Sequence, residues 1–330
     1  MPASAPFWAK AARSSLFEPE GPMSALDMPV RSALSAQTKG LGFGLAAVAI
    51  WAAYLAFARA GVNAGQSPVD FVFLRFVTAG AIMLLWLLRN GIRDLGGVGW
   101  RRGAALAFFA GPMFIALGVG GYSFAPLAHG AVVQPSALTL GAMAASWLIF
   151  GERPPRERAL GVAIILGGLA LIAAGKGGAE LPGAWRGDVL FVVAGLFWVG
   201  FTVLLRKWKI GGIPATAAVA VISALVVLPG FVVTQSFDRL AALPLQTLLT
   251  QIVVQGLLSG VLAVIAYGKA VEHLGASKAA LFPALVPAAA LIVGVPVTGE
   301  MPAPAEWLGA IMATAGLAVA MGVVRVGSRI

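Results

Sequence analysis

Hydrophobic residues in this chain form runs of about twenty, close to the length that an α-helix needs to cross a bilayer core of about 30 Å. Short polar segments that carry most of the charges separate these runs. The strands of a membrane β-barrel would instead be about ten residues long with alternating polarity, and that pattern is absent. We predict ten transmembrane helices, at approximately 40–60, 68–89, 103–121, 127–150, 157–175, 187–206, 213–234, 247–267, 275–298 and 306–325.

The composition supports an integral membrane protein, because 59% of the 330 residues are hydrophobic and only 11% are charged. Soluble domains carry about 25% charged residues. The chain has no cysteine, which excludes disulfides, thiol catalysis and thiolate metal sites. No phosphate-binding loop, HExxH motif or nucleophile beside a histidine and a carboxylate is present. We therefore predict no enzyme activity, no cofactor and no metal.

The basic residues are more informative about orientation than about a nucleic-acid partner, since they sit at helix ends and form no single stripe. Cytoplasmic loops of membrane proteins hold the excess of Lys and Arg. With the N-terminus inside, only Arg59, Lys176, Arg186 and Arg239 fall outside, and Arg75 lies within a helix. The inside set is Lys10, Arg13, Arg31, Lys39, Arg89, Arg93, Arg101, Arg102, Arg153, Arg156, Arg158, Arg206, Lys207, Lys209, Lys269, Lys278, Arg325 and Arg329. This asymmetry predicts that both termini are cytoplasmic, with residues 1–39 forming a disordered cytoplasmic tail.

One element of the sequence occurs twice, 148 residues apart. The pattern P-x15-G-E-x7-L-G-x6-G-L-A starts at Pro135 and again at Pro283. A second pattern, W-x7-R, starts at Trp51 and again at Trp198. The chain is therefore predicted to be one five-helix unit written twice.

An odd number of helices per unit means that the second unit enters the membrane from the opposite side. The charges agree, because Glu152 precedes three arginines whereas Glu300 precedes the uncharged stretch "MPAPA". Inverted repeats are characteristic of secondary transporters, in which two halves enclose a site near the midplane. The alternative is that duplication only made a stable helical bundle.

These features resemble the EamA-type transporters of the drug/metabolite transporter superfamily. The resemblance rests on the tryptophan in the first helix, the proline in the fourth, the Gly-Glu pair that ends it and the Gly-rich fifth helix, together with "VDFVFLRFVTAGAIM" around Arg75. It implies repeats at 40–175 and 187–325, a ten-helix bundle in the bacterial inner membrane, and movement of small metabolites, often export of amino acids. Membrane lipids and a small-molecule substrate are then the expected partners.

Several polar and aromatic residues within the predicted helices are candidates for a substrate cavity. Arg75 is the one clearly intramembrane charge, which suggests a partner for a substrate carboxylate, although snorkelling or pairing with Asp70 is an alternative. Gln255 shares a helix face with Ser259, where both could instead serve as packing contacts between helices. The full set of cavity candidates is Trp51, Tyr54, Arg75, Gln134, Trp198 and Gln255.

Prolines within the predicted helices are candidates for hinges, because each removes a backbone hydrogen bond. These are Pro135, Pro283 and Pro287. Glu152 and Glu300 lie at helix ends, which favours a role in loop structure over a proton relay. His129 and His273 are expected to be solvated or satisfied locally.

The sequence therefore predicts a secondary-active transporter that exports amino acids or related small metabolites by alternating access. Carriers of carboxylates or sugars are the alternatives within transport. A lipid-handling membrane subunit that transports nothing is the alternative outside it. The Gly-rich fifth and tenth helices pack closely in either case, and a homodimer through them is a further expectation.

Overall fold

The computed structural model describes residues 30–151, 156–174, 183–233, 237–274, 279 and 281–320, and within these it contains helices and no strand. Glu152, most of the predicted tail and the C-terminal segment lie outside the described residues. The helices are α1 Val30–Asn63, α2 Pro68–Asn90, α3 Trp100–Ala110, α4 Pro112–Gly121, α5 Leu127–Phe150, α6 Arg156–Ala174, α7 Ala184–Trp208, α8 Gly212–Val233, α9 Phe237–Ala241, α10 Leu245–Gln251, a π-helical segment Ile252–Leu262, α11 Ala263–Leu274, α12 Leu281–Thr298 and α13 Pro304–Ala320.

Seven helices in the described residues are long and apolar enough to cross a membrane, and three further apolar helices are shorter. The prediction of an all-α membrane protein is confirmed, whereas the crossing of all ten predicted runs stays a prediction. The shorter helices are Ala159–Ile172, Phe282–Thr298 and Pro304–Ala320.

Glycine ends both copies of the repeated Gly-Glu element. Gly151 follows α5 with φ +69° and donates its N–H to Trp147 O at 3.0 Å. Gly299 follows α12 with φ +71° and donates to Val295 O at the same distance. This left-handed conformation favours glycine because it has no Cβ to clash, so the motif is a helix stop in both halves.

The third and eighth predicted runs are irregular. Helices α3 and α4 form one span that breaks at Gly111, followed by Pro112. The eighth span runs from α10 through the π-helical segment into α11, which changes the hydrogen bonding to i→i+5 over eleven residues. π-helical turns occur frequently at functional sites, which directs attention to the side chains of this segment.

The contacts between the two halves come in matching sets. Helix α1 packs on α11 and α12, while α7 packs on α4 and α5. Helix α2 packs on the π-helical segment and on α8, while α8 packs on α3. Because these partners occupy equivalent places in the two repeats, these contacts are made by the first four predicted runs of each half.

Helices α6 and α13 pack through glycines. A Cβ at Gly161 would lie 2.8 Å from the carbonyl oxygen of Gly316, and one at Gly168 would lie 2.7 Å from that of Gly309. The glycine nearer the N-terminus of each helix thus meets the glycine nearer the C-terminus of the other, so the two helices are antiparallel. Residues without side chains allow such close backbone approach.

Candidate solute-binding site

Arg75 lies in the interior of α2, and its guanidinium reaches the π-helical segment. Nη1 donates to the Ser259 hydroxyl at 2.8 Å and, more distantly, to the Gln255 carbonyl at 3.4 Å. Nη2 lies 3.5 Å from the Ser259 carbonyl. The Tyr54 ring of α1 faces the same guanidinium, with its centroid 5.4 Å from the central carbon. Arg75 therefore joins α2 to helices on both sides of it.

The guanidinium retains unused donors after these contacts. Arginine carries five N–H groups, and Nε and Nη2 donate in parallel along one edge. Within the described residues, Arg75 Nε makes no hydrogen bond and Nη2 makes one long one, to the Ser259 carbonyl at 3.5 Å. That edge has the geometry with which arginine binds a carboxylate through two hydrogen bonds.

A row of three buried glutamine side chains leads from the start of α2 to the Arg75 site. Gln251 donates to Gln66 Oε1 at 3.1 Å and to Phe57 O at 3.0 Å. Gln255 donates to Gln251 Oε1 at 3.2 Å and lies 3.5 Å from Tyr54 O. The expected packing role of Gln255 is therefore observed, since its amide contacts α1.

Gln255 combines this packing role with an unused acceptor. Its side chain is completely buried, and its Oε1 has no hydrogen-bond partner among the described residues. A buried carbonyl oxygen of this kind costs free energy unless a donor reaches it. Because the Gln255 backbone contacts Arg75, the unpaired acceptor and the cation belong to the same residue cluster.

The structure places the remaining cavity candidates in aromatic surroundings. Trp51, one helical turn from Tyr54, packs on Tyr267 with ring centroids 5.5 Å apart. Trp198 packs between Phe114 and Phe201, at 4.9 and 5.0 Å. Of the predicted candidates, Tyr54, Arg75 and Gln255 therefore form one polar cluster, whereas Trp51 on α1 and Trp198 on α7 each pack against aromatic rings.

Gln134 and Pro135 lie in the interior of α5. The Gln134 side chain is half-buried and faces Gly118, where a Cβ would lie 3.3 Å from Oε1. Its carbonyl faces α7, where a Cβ at Gly195 would lie 2.8 Å away. The α5–α7 contact is therefore close at the proline, and bending there would move Gln134.

The other two hinge candidates lie in α12. Pro287 is inside the helix, as is Pro296, which the sequence analysis did not single out. Pro283 is the third residue of α12 as described. Hinge motion at these positions stays a prediction.

Glu300 ties together one end of the bundle, called here the Glu300 end. Its carboxylate pairs with Arg59 Nε at 2.5 Å and accepts from Asn63 Nδ2 at 3.2 Å and from Leu127 N at 3.1 Å. Arg59 also donates to the Tyr122 carbonyl. The structural role expected for Glu300 is therefore present, and it connects α1 and α5 of the first half to the second half.

Like the Arg59–Glu300 pair, two further long-range ion pairs were not predicted from the sequence. Asp70 pairs with Arg239 at 3.1 Å and caps α2 through Ser67 N, so it is not the partner of Arg75. His129 pairs with Asp188 at 2.8 Å, across the α5–α7 contact. Partners separated by 169 and 59 residues carry no local sequence signal. Among the described residues, no group of three His, Asp or Glu side chains could hold a metal ion.

Comparison with known proteins adds an independent finding. A model of the EamA-like transporter family matches residues 38–174 and again residues 185–322. Over 164 residues the chain is 30% identical to a protein of Archaeoglobus fulgidus named as an uncharacterized transporter, covering 48% of this chain and 54% of that protein. The chain therefore spans about half the length of this relative.

A similarity in three dimensions concerns the fold alone. A solved crystal structure of a protein superposes with a TM-score of 0.55 at 19% sequence identity. The match covers 87% of this chain and 96% of the other.

Proposed function

Because the chain belongs to the EamA-like transporter family, we propose that this membrane transporter is a secondary-active exporter of amino acids or related metabolites. Alternating access moves the solute, with the two halves closing in turn on either side of it. The protein resides in a bacterial inner membrane with both termini in the cytoplasm. In this orientation the Glu300 end faces outside. The charge asymmetry of the loops supports this assignment.

The antiparallel contact of α6 and α13 supports inverted repeats. Gly161 and Gly309 are equivalent positions, and so are Gly168 and Gly316. A two-fold axis that exchanges the halves converts the Gly161–Gly316 contact into the Gly309–Gly168 contact, and both are present. Such an axis lies in the membrane plane when the paired helices are antiparallel, which is the arrangement of inverted-repeat transporters.

The proposed substrate follows from the unused edge of the Arg75 guanidinium, formed by Nε and Nη2. A desolvated cation within a helix is costly and is best matched by an anion, and Nε with Nη2 fits a carboxylate. The unpaired Oε1 of Gln255 suits a donor such as an ammonium group. The Gln255 backbone contacts Arg75, and Tyr54 and Trp51 present aromatic rings on α1, which together favour a zwitterion with an apolar side chain.

Two alternatives remain within this site. A carboxylate without an amine would use Arg75 and leave Gln255 unpaired. A phosphorylated sugar would require more cations than the described part of the membrane region supplies around Arg75. A lipid-handling subunit that moves no solute is the alternative outside transport, and an unidentified stoichiometric partner would favour it.

Flux of labelled amino acids across proteoliposomes tests the proposal. We expect saturable flux with the wild-type protein, and a KM raised about a hundredfold in Arg75→Ala because the carboxylate loses both hydrogen bonds. Trp51→Ala is expected to reduce the flux less than Arg75→Ala does. Arg186→Ala is the matched control, since this arginine is exposed and its guanidinium lies over the Trp185 ring, 5.7 Å from the centroid.

The outcome separates the alternatives. Flux of carboxylates but not of amino acids would correct the substrate and keep the transporter. Flux that is equal in wild-type protein, Arg75→Ala and Arg186→Ala would refute the site. An absence of flux for every solute tested, together with a co-purifying partner, would favour the lipid-handling subunit.

A further inference from the structure

Gln66, Gln251 and Gln255 form a row of bonded side chains, called here the glutamine row. Their exposed fractions are 4%, 2% and 0%. Gln255 Nε2 donates to Gln251 Oε1 at 3.2 Å, and Gln251 Nε2 donates to Gln66 Oε1 at 3.1 Å. Because a primary amide away from water is costly unless it is bonded, the bonds of the row decide which of its atoms remain for another partner.

The backbone of α1 fixes the direction in which the amides of the row point. Gln251 Nε2 also donates to the Phe57 carbonyl at 3.0 Å, and Gln255 Nε2 lies 3.5 Å from the Tyr54 carbonyl. A carbonyl oxygen only accepts hydrogen bonds, so a flipped amide would place two oxygens against each other. The nitrogens therefore face α1, and Gln255 keeps its oxygen on the opposite side of its amide.

The two ends of the row are left with different unused atoms. Within the described residues, Gln255 Oε1 and Gln66 Nε2 are buried and make no hydrogen bond. Gln255 is the member that contacts the cation, since its carbonyl lies 3.4 Å from Arg75 Nη1, and Tyr54 contacts both residues. The free atom at the Arg75 end is therefore an acceptor, which suits a donor on the solute.

Space for the row comes from Gly61 in α1. A Cβ at this position would collide with Gln66 Oε1 and would lie 2.7 Å from Gln251 Nε2. The absence of a side chain thus lets two amides of the row bond to each other directly against the helix. Packing this close leaves those amides little freedom to rotate.

The repeated fold does not by itself require the row. By the displacement of 148 residues, Gln251 corresponds to Gly103 and Gln255 corresponds to Ala107 in the first half. Gly103 and Ala107 are buried in α3, which packs on α7 and α8 as the π-helical segment packs on α1 and α2. Equivalent packing is thus built once without amides, which favours a role for the row in binding.

We propose that the glutamine row makes the protein selective for solutes that carry an amine. Gln255 Oε1 accepts a hydrogen bond from the ammonium group of the solute while Arg75 binds the carboxylate. Gln251 and Gln66 are positioning residues that hold the Gln255 amide in this orientation. A solute without an amine leaves the buried oxygen unpaired, and that penalty produces the selectivity. This inference rests on the proposed function, which supplies the amino-acid substrate and its contact with Arg75.

Phenylalanine and 3-phenylpropanoate differ only by the amine, so their equilibrium binding to the purified full-length protein isolates this contact. We expect wild-type protein to bind phenylalanine at least about tenfold more tightly, the low end for a hydrogen bond to a charged group. Gln255→Met, which keeps a similar shape but has no amide, should lose this preference. Gln246→Met, at an exposed position in α10, is the matched control and should keep it.

A second pair of variants tests the positioning role of Gln251, and it reports even if Gln255→Met does not fold. Gln251→Met removes the acceptor that holds Gln255 Nε2, so we expect the preference to fall below about threefold. Gln251→Glu keeps an acceptor for Gln255 Nε2 and should retain most of the preference. A merely structural effect would weaken the binding of both compounds equally and leave their ratio unchanged.

The outcomes separate this inference from the proposed function. Wild-type protein that binds phenylalanine no more tightly than 3-phenylpropanoate would overturn the inference, even where amino-acid flux and its dependence on Arg75 are established. A preference that survives in both Gln255→Met and Gln251→Met would overturn it as well. Protein that binds and transports no amino acid would refute the proposed function, and this inference with it.

Discussion

The contact between Arg75 and Ser259 has an equivalent elsewhere in the molecule, and the two differ in chemistry. Position 75 corresponds to Ser223 in the second half, and position 259 corresponds to Gly111 in the first, each 148 residues apart. Ser223 and Gly111 do meet, since a Cβ at Gly111 would lie 2.7 Å from the Ser223 hydroxyl. The first contact holds a charge and the second holds a buried hydroxyl without a partner among the described residues.

The residues around the two contacts also differ in polarity, with polar side chains beside Arg75 and apolar ones beside Ser223. Gln255 corresponds to the buried Ala107, and Tyr54 corresponds to Phe201 by the displacement of 147 that relates Trp51 to Trp198. The backbone arrangement is thus repeated while the charge, the amide and the phenol are confined to one of the two places. A duplicated scaffold therefore supplies one asymmetric site, displaced toward the Glu300 end.

Replacing Arg75 by the residue at its equivalent position should have the largest effect. We expect Arg75→Ser to raise the KM for flux about a hundredfold, because a charge-assisted pair of bonds is worth about 3 kcal/mol. Ser223→Ala should change KM by less than about twofold, since its hydroxyl has no partner to lose. Equal effects of Arg75→Ser and Ser223→Ala on KM would show that the two contacts do not differ in function.

Substitutions in the α6–α13 contact should instead act symmetrically. We expect Gly161→Val and Gly309→Val each to destabilise the protein by about 2 kcal/mol, because the added atoms collide with the facing backbone. Gly42→Val is the control, since a Cβ there meets nothing within 4 Å. Thermal unfolding in detergent measures the effect, and a large difference between Gly161→Val and Gly309→Val would argue against equivalent halves.

Ser259→Gly reproduces Gly111 and should have an intermediate effect. It removes the 2.8 Å bond to Arg75 while leaving the guanidinium in place. We expect KM to rise about fivefold, for a loss of about 1 kcal/mol. Ser259→Ala should behave alike, which would exclude an effect of glycine on the backbone. An unchanged KM in both variants would mean that Ser259 does not position Arg75.

Tyr54→Phe reproduces Phe201 and should have the smallest effect. The ring that faces the guanidinium remains, so we expect KM to stay within about twofold of the wild-type value. Tyr54→Leu removes the ring and should raise KM about fivefold, for the loss of about 1 kcal/mol of cation–π interaction. If Tyr54→Phe were as damaging as Tyr54→Leu, the hydroxyl and not the ring would matter.

The sequence predicted the helices that carry these residues better than it predicted the contacts between their side chains. Apolar runs and repeated motifs located the helices and both Gly-Glu stops, because those patterns are local. The π-helical segment, which packs on α2, carries no recognisable signal in "IVVQGLLSGVL". Arg75 was identified as the intramembrane charge, but Ser259 as its direct partner and Asp188 as that of His129 required the tertiary structure.

The most direct test asks whether the solute carboxylate binds Arg75. Phenylalanine and phenethylamine differ only by that carboxylate, so both are compared as competitors of labelled amino-acid flux in wild-type protein and Arg75→Ala. We predict that phenylalanine competes at least about tenfold better in wild-type protein, the minimum expected for a charge-assisted bond, and that Arg75→Ala loses this preference. Equal competition by the two compounds in wild-type protein, or a preference that survives in Arg75→Ala, would contradict the proposed site.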